Sequence, residues 1–287
     1  MRSLAVAALL IVLSLSAGCA QLRSPAGVYF GTRGACSRPA AFEAAAMLNT
    51  TSYDDMDWSP FGRPERGWAI YSLRIQREIR SRCAPQSAGF AAQLARWQAD
   101  NGLRPSGVLD ADAFQAMKTR WQNARPYVAL RARGVCPDPP ADAALADLRP
   151  GDAYPGKTVQ MRRKALKALH RMLSAARVDV PSAARGPYRL VAFSGYRSPA
   201  YDAERCAIEG NCDGVGRATC SAHRTGLAVD LDLGSAPGFA VDSSADANRL
   251  YQTRTPVYRW LVDNARRFGF VNYPFEPWHW EWIGEAP

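Results

Sequence analysis

The sequence lacks several features that would indicate a function directly. None of its cysteines has the CxxC spacing of a zinc ribbon, which argues against that kind of metal site. Its N-terminal apolar run, residues 4–15, is too short to span a bilayer as a stable anchor. Histidine is scarce, with 3 in 287 residues. A hydrophobic fraction of 47% nevertheless argues against general disorder, and the length favours two modest domains over one.

Positive charge is abundant, and nearly all of it comes from arginine. The chain has 36 Lys+Arg against 26 Asp+Glu, which gives a formal net charge of +10. Such a surface suits any polyanion, including nucleic acid, anionic lipid and acidic cell-wall polymer. Charge alone therefore does not select a partner.

The N-terminus indicates export. Arg2 supplies positive charge ahead of the apolar run, and the run ends in small residues that lead directly to Cys19. Residues 16–19 resemble the lipobox of bacterial lipoproteins, in which the cysteine is lipidated and becomes the mature N-terminus. The resemblance implies a signal peptide over residues 1–19 and a periplasmic protein held to the membrane by a lipid on Cys19. A plain secretory peptide is the alternative, and it also implies export.

The remaining cysteines form an even set, as expected for structural disulfides in an oxidising compartment. Their connectivity is open, because six cysteines allow about fifteen pairings. Three of them fall in each half of the chain, so full pairing requires at least one bridge between the halves. We also expect at least one bridge among the last three. The set is Cys36, Cys83, Cys136, Cys206, Cys212 and Cys220.

A small all-α module is predicted over residues 66–125. The preceding residues 20–65 show no sustained period and are expected to be an irregular lead-in. A second helix should end at Asn101-Gly102, and Asp110 signals the start of a third. The first helix is predicted from an apolar stripe whose members are Trp68, Tyr71, Ile75, Ile79 and Cys83.

The second and third helices carry a family resemblance. An aromatic-Gln pair, the letters NGL and then GVLD occur in order within residues 94–114. This stretch resembles the peptidoglycan-binding three-helix module, which implies binding to cell-wall glycan. The alternative is a helical bundle that only packs against its neighbour.

The second half of the chain is predicted to be a separate domain, residues 157–287. The proline- and glycine-rich residues 126–156 are expected to be a linker. A long amphipathic helix is predicted over 158–176. Another is predicted over 256–268, because Thr255-Pro256 supplies an N-cap followed by proline at the first helical position.

Two of the few histidines lie in short segments rich in acidic residues. His223 and Asp230 belong to the first segment, and Glu276 and His279 to the second. A catalytic zinc site needs about three such ligands and one open position. The odd spacing of His223 and Asp230 would place them on opposite faces of a straight strand. Thr225-Gly226 offers a turn between them, and Pro277 suggests a bend between Glu276 and His279.

These segments resemble the VanY-type D-alanyl-D-alanine carboxypeptidases, part of the LAS group of zinc metallopeptidases. The sequences SGYRS, SxHxxGxAxD and ExWH occur in the order of that family, over about residues 155–285. The resemblance implies that His223, Asp230 and His279 bind Zn²⁺ and that Glu276 is the general base. It also places Arg197 and Ser221 beside the substrate. Arg197 could hold a terminal carboxylate by a bidentate contact.

We therefore expect an α+β fold with a small, mainly antiparallel sheet flanked by helices, preceded by the all-α module. The predicted function is trimming of peptidoglycan stem peptides by a zinc-dependent D,D-carboxypeptidase. A murein endopeptidase that cuts cross-links is one alternative. The other is a non-catalytic cell-wall-binding lipoprotein, against which Glu276 argues because a binding site needs no base. No nucleic-acid partner is expected.

Overall fold

The computed structural model describes Cys36, residues 40–185, 190–210, Cys212 and residues 220–287. The predicted signal peptide and Cys19 lie outside the described residues. The α-helices of the described part are α1 Glu43–Asp55, α2 Ser72–Glu78, α3 Ala88–Asp100, α4 Ala111–Asn123, α5 Pro126–Ala132, α6 Arg163–Asp179, α7 Pro199–Glu209, α8 Asp246–Thr253 and α9 Pro256–Asn264. The strands are β1 Asp57–Trp58, β2 Glu65–Arg66, β3 Leu145–Asp147, β4 Gln160–Arg162, β5 Ala192–Ser194, β6 Ala228–Leu231, β7 Phe270–Asn272 and β8 His279–Trp282.

The C-terminal domain, residues 145–287, is built around a four-stranded antiparallel sheet. Its strand order is β5-β6-β8-β7. The apolar face of α6 packs on this sheet through Leu166, Leu169, Met172 and Leu173, and the rest of the core includes Trp280 and Leu261 of α9. Thr255 caps α9 by accepting a hydrogen bond from the Tyr258 N–H. The expected α+β class is confirmed.

The N-terminal module, residues 40–132, is helical as predicted. The five residues of the apolar stripe are all buried, although the first part of that segment is a short 3-10 helix, Ala69–Tyr71. Asp110 caps α4 by accepting the Ala113 N–H at 2.8 Å. Leu73 lies off the stripe because it packs into the core of the C-terminal domain. Helix α2 therefore lies between the two cores.

The expectation of an irregular lead-in over residues 20–65 is wrong. Within it, α1 and the β1–β2 pair are regular structure. Helix α1 has no strong apolar period, and its buried face is Ala45, Ala46 and Asn49. Asn49 holds the helix in place by bonding the carbonyl of Gly107 and the N–H of Leu109, both at 2.9 Å. Contacts so distant in sequence leave no local pattern.

Three boundaries in the second half also differ from the prediction. The expected linker 126–156 contains α5 and β3, and β3 pairs with β4. Because Gln160–Arg162 form β4, the long helix begins at Arg163 rather than at residue 158. The helix predicted over 256–268 is observed as α9, Pro256–Asn264, followed by a short 3-10 helix, Ala265–Phe268.

Disulfides join all six of the cysteines that were predicted to pair. The bridges are Cys36–Cys83, Cys136–Cys220 and Cys206–Cys212. The second bridge links the two halves of the chain and the third lies within the last three cysteines, so both expectations are confirmed. Within the described ranges, no helix has the length and apolar character needed to cross a membrane.

Candidate active site

The sheet brings the predicted metal ligands together. Asp230 on β6 and His279 on β8 are direct cross-strand partners. His223 precedes β6 in a short 3-10 helix, Ala222–Thr225, which ends at Gly226 with a φ of 69°. A residue with a side chain is strained in that conformation, and glycine is not. The turn between His223 and Asp230 was expected, and it places both side chains on the same side of the sheet.

The ligand atoms form one compact cluster. All three residues are buried, and one donor atom from each lies within 4.8 Å of the others. The Asp230 carboxylate is 2.9 Å from Nδ1 of His279 and 3.2 Å from Nε2 of His223. Those two ring nitrogens are 3.2 Å apart. Two imidazole nitrogens and one carboxylate oxygen are a donor set that suits catalytic zinc.

The outward ring nitrogens support the same conclusion. Nδ1 of His223 lies 2.6 Å from the Gly195 carbonyl, and Nε2 of His279 lies 3.3 Å from the Glu281 carboxylate. Each acceptor takes an N–H from the outward nitrogen, so the nitrogen that faces the cluster is the one that would bind a metal once it has lost its proton. Metal-binding histidines are held in this way. The residues present therefore fit Zn²⁺.

Glu276 lies next to this cluster. A turn in which the His279 N–H donates to the Glu276 carbonyl at 2.9 Å bends the chain at Pro277. It brings the Glu276 carboxylate to 4.0 Å from Nδ1 of His279. Burial raises the pKa of Glu276. A carboxylate with a raised pKa is a better proton acceptor, so this environment suits a general base.

The charges of the cluster compensate one another. Burial alone would raise the pKa of Asp230, but His223 and the hydrogen bonds from both histidines hold it well below its usual value. Burial lowers the pKa of His223. It would also lower that of His279, but hydrogen bonds to Asp230 and Glu281 raise the pKa of His279 to about 9. Asp230 therefore stays ionised in the buried site.

A cavity of about 740 Å³ opens onto the cluster, and Arg197 and Ser221 line it with the three ligands and Glu276. Arg197 is 90% buried, and its Nε lies 3.2 Å from Asp202. The Ser221 hydroxyl donates to the other oxygen of Asp202 at 2.6 Å. Asp202 thus holds both residues. It was not predicted, because nothing in its local sequence distinguishes it from a surface carboxylate on α7.

The N-terminal module also contributes residues to the lining of the cavity. Arg63, Gln122, Arg125, Tyr127 and Arg131 line it. Sequence reasoning missed these residues, since they lie far along the chain from every motif. The C-terminal domain contributes Trp278 to the cavity lining, while its neighbours Trp280 and Trp282 pack in the core.

An α+β domain with a buried His2Asp cluster and an adjacent buried glutamate defines the class of a zinc metallopeptidase. Residues 158–285, which make up most of the C-terminal domain, match the family described as VanY, D-alanyl-D-alanine carboxypeptidase. The match agrees with the predicted family, and the His2Asp cluster is compatible with the predicted zinc cofactor. The roles of individual residues stay predictions. So does the resemblance to a peptidoglycan-binding module, because residues before 158 lie outside the match.

One curated relative is a D-alanyl-D-alanine carboxypeptidase of Enterococcus faecalis (strain ATCC 700802 / V583). It is 34% identical over 131 residues, covering 40% of this chain and 46% of the relative. The chain thus spans less than half the length of this relative.

Similar solved structures include the LdcB LD-carboxypeptidase, with 27% identity and a TM-score of 0.38 over 51% of this chain and 70% of that one. Another is the E175A mutant of the vancomycin-resistance D,D-pentapeptidase VanY in complex with Zn(II). It has 24% identity and a TM-score of 0.32, covering 51% of this chain and 83% of that one.

Proposed function

We propose that this protein is a zinc-dependent D-alanyl-D-alanine carboxypeptidase that trims peptidoglycan stem peptides. One observation carries the proposal. A single cavity contains a buried His2Asp cluster, a buried carboxylate in Glu276 and a guanidinium in Arg197. These groups supply what hydrolysis of a C-terminal peptide bond requires: a metal, a base and a site for the free carboxylate.

His223, Asp230 and His279 would hold the zinc ion. When bound, zinc acidifies water and polarises a carbonyl group. Glu276 accepts the proton of the attacking water on its carboxylate and donates it to the leaving amine of the terminal D-alanine.

Arg197 holds the terminal carboxylate of the substrate. A planar guanidinium matches a carboxylate with two parallel hydrogen bonds. Asp202 lies on the Nε side of Arg197, and Arg197 lines the cavity. Ser221 is held by the same carboxylate and lies along the same wall. The cavity volume of about 740 Å³ is in the range of sites for small ligands.

The test compares stem peptides that end in a free carboxylate with the same peptides amidated at the C-terminus. Products are identified by mass. The wild-type enzyme should release D-alanine from the free peptide. Amidation should cost about 2–5 kcal/mol in kcat/KM, because it leaves a partly desolvated charge unpaired.

Arg197→Ala should lose a similar amount on the free peptide and little more on the amidated one. Such non-additivity is expected of two groups in direct contact. Arg171→Ala, which removes an exposed arginine on α6, is the control and should keep both rates. Equal cleavage of free and amidated peptides by wild type would instead indicate an endopeptidase.

We also propose that the protein is exported to the periplasm and anchored by a lipid on Cys19. The three disulfides support an oxidising compartment. Cell fractionation tests the anchor. Wild type should sediment with membranes, and Cys19→Ser should move to the soluble exported fraction. Unchanged fractionation of Cys19→Ser would favour a plain secretory signal.

A further inference from the structure

The N-terminal module reaches the metal cluster, although the family match begins only at residue 158. We propose that Arg125 is a positioning residue that orients the metal ligand His279 through Glu281. The inference rests on the zinc site of the proposed function. It makes the module part of the metal centre rather than an appendage that only binds cell wall.

A chain of short contacts connects Arg125 to the cluster. Nε of Arg125 donates to Oε1 of Glu281 at 2.7 Å, and Nη2 lies 2.5 Å from the same oxygen. That oxygen is 3.3 Å from Nε2 of His279. Glu281 and His279 are two residues apart on β8, so their side chains share a face of the sheet. The backbone N–H of Tyr127 donates to the second oxygen of Glu281 at 3.3 Å.

Arg125 and Glu281 are both buried, and Arg125 is itself held in place by further contacts. Arg125 is 7% exposed and Glu281 is 2% exposed. Nη1 of Arg125 donates to Gln122 at 2.6 Å, and the guanidinium carbon lies 4.0 Å from the centroid of the Tyr273 ring. Among the described residues, the side chain of Glu281 is held by Arg125 and by the backbone N–H of Tyr127, in addition to its contact with His279.

Burial explains why the pair affects the ligand. Without Arg125, Glu281 would be a buried charge with no cation beside it, which is a costly arrangement. The carboxylate would then turn away from its present position. His279 would lose the acceptor that fixes its ring orientation and its tautomer. Loss of an outer carboxylate of this kind typically weakens metal binding by about 10–100-fold.

Other contacts of the module brace the loop before β8. Nη1 of Arg74 donates to Asn272 at 3.3 Å, and the Asn272 amide donates to the carbonyl of His279 at 2.8 Å. Arg249 donates to the Phe275 carbonyl at 2.7 Å and forms a buried ion pair with Glu65 of the module at 3.1 Å. The module therefore contacts the segment that carries Glu276 and His279 at several points.

The experiment measures the zinc dissociation constant of the full-length protein by competition with a chromophoric chelator. We expect Arg125→Gln to bind zinc about tenfold more weakly, the lower end of the range for outer contacts, because it acts through Glu281. Glu281→Gln should lose at least as much. The double variant should lose little more than Glu281→Gln alone. The visible spectrum of the Co²⁺-substituted protein should change in all three variants.

Arg77→Gln is the matched control. Arg77 forms an ion pair with Asp263, with a 2.8 Å contact, that joins the same two parts of the chain but does not reach the cluster. Its zinc affinity should stay within about twofold of wild type, since no outer contact of a ligand changes. Thermal unfolding of the zinc-free proteins shows how much general stability each variant loses.

A loss of thermal stability in Arg125→Gln with wild-type zinc affinity and an unchanged cobalt spectrum would overturn the proposal. If Arg125→Gln does not fold, Arg125→Lys keeps the positive charge and loses the guanidinium geometry, and the same measurements apply to it. Failure to cleave D-alanyl-D-alanine peptides leaves the zinc measurements intact and counts only against the proposed function. A wild-type protein without zinc affinity would overturn both.

Discussion

The side chains around the cluster differ in their distance from the ligand atoms, and the difference predicts separate roles. The three ligands approach one another at 2.9–3.2 Å. Glu276 approaches no closer than 4.0 Å to His279. A group at that distance is placed to handle a proton rather than to complete the ligand set.

Glu276→Gln should therefore keep zinc and lose hydrolysis. The amide preserves the size of the side chain but accepts no proton, and general-base catalysis is worth about 10²–10⁴ in rate. Zinc content by elemental analysis and kcat on a stem peptide are the two measurements. His223→Ala, Asp230→Ala and His279→Ala serve as the comparison and should lose most of the metal. An active Glu276→Gln protein would show that another residue is the base.

Asp202→Asn should weaken substrate binding without affecting the metal. Asparagine can still accept the Ser221 hydroxyl, but it removes the charge that holds Arg197. Breaking a buried ion pair by removing one of its charges typically costs about 3–5 kcal/mol, and KM should rise about tenfold or more even when only part of that cost falls on the substrate complex. Zinc content and kcat should stay near wild type. A loss of kcat with an unchanged KM would contradict the role of Asp202 in holding Arg197.

A site residue could be predicted from the sequence only where it belongs to a short, recognisable motif. The predicted ligands come from short motifs in which chemistry and order coincide. Asp202 and Arg125 act through contacts across 19 and 156 residues of sequence. Nothing in the residues that flank them indicates those partners.

At the scale of helices and strands, the sequence predicted the elements that are determined by interactions between neighbouring residues. Helices α3, α4 and α9 have an apolar period and an N-cap side chain, and all were predicted. Helix α1 and strand β4 were missed, because Asn49 and the partner strand β3 hold them from a distance. The 3-10 helix at His223 depends on a glycine turn, which the sequence did indicate.

The disulfides should differ in what they contribute to stability. The Cys136–Cys220 bridge closes a sequence separation of 84 residues, and Cys206–Cys212 closes one of 6. In the chain-entropy account, these loops correspond to about 4.6 and about 2.2 kcal/mol. Replacing both cysteines of the longer bridge with serine should therefore lower the free energy of unfolding by about 2 kcal/mol more than the same change in the shorter bridge.

Urea denaturation of the two double-serine variants measures this difference. Titration of thiols in the unfolded, unreduced wild type is the control, and it should find none among the six cysteines after Cys19. Equal destabilisation, or a larger effect of the shorter bridge, would contradict the entropic account for this chain.

At the scale of the whole molecule, the sequence predicted two parts but not how they join. The module's Leu73 lies in the core of the C-terminal domain, while Leu250 of that domain packs against the module's core. Arg249 is fully buried and bonds Glu65 and Tyr71 of the module. Side chains of each part therefore pack in the core of the other part, and the hydrophobic packing continues across the boundary. Local sequence patterns do not predict such contacts between the two parts of the chain.

This interlocking predicts that the protein unfolds as one cooperative unit. Domains joined by small polar interfaces move and unfold independently, but here each part contributes side chains to the core of the other. Calorimetry of the zinc-free protein should show a single transition.

Leu73→Ala should shift that whole transition to lower temperature, because it opens a cavity in the shared core at a cost of about 2–5 kcal/mol. Val178→Ala, which truncates an apolar side chain that is 80% exposed, is the control and should leave it nearly unchanged. Two separate transitions, with Leu73→Ala moving only one of them, would show that the module and the peptidase domain are independent. In that case the module would not form one rigid unit with the peptidase domain, and it could not hold the metal ligands in position.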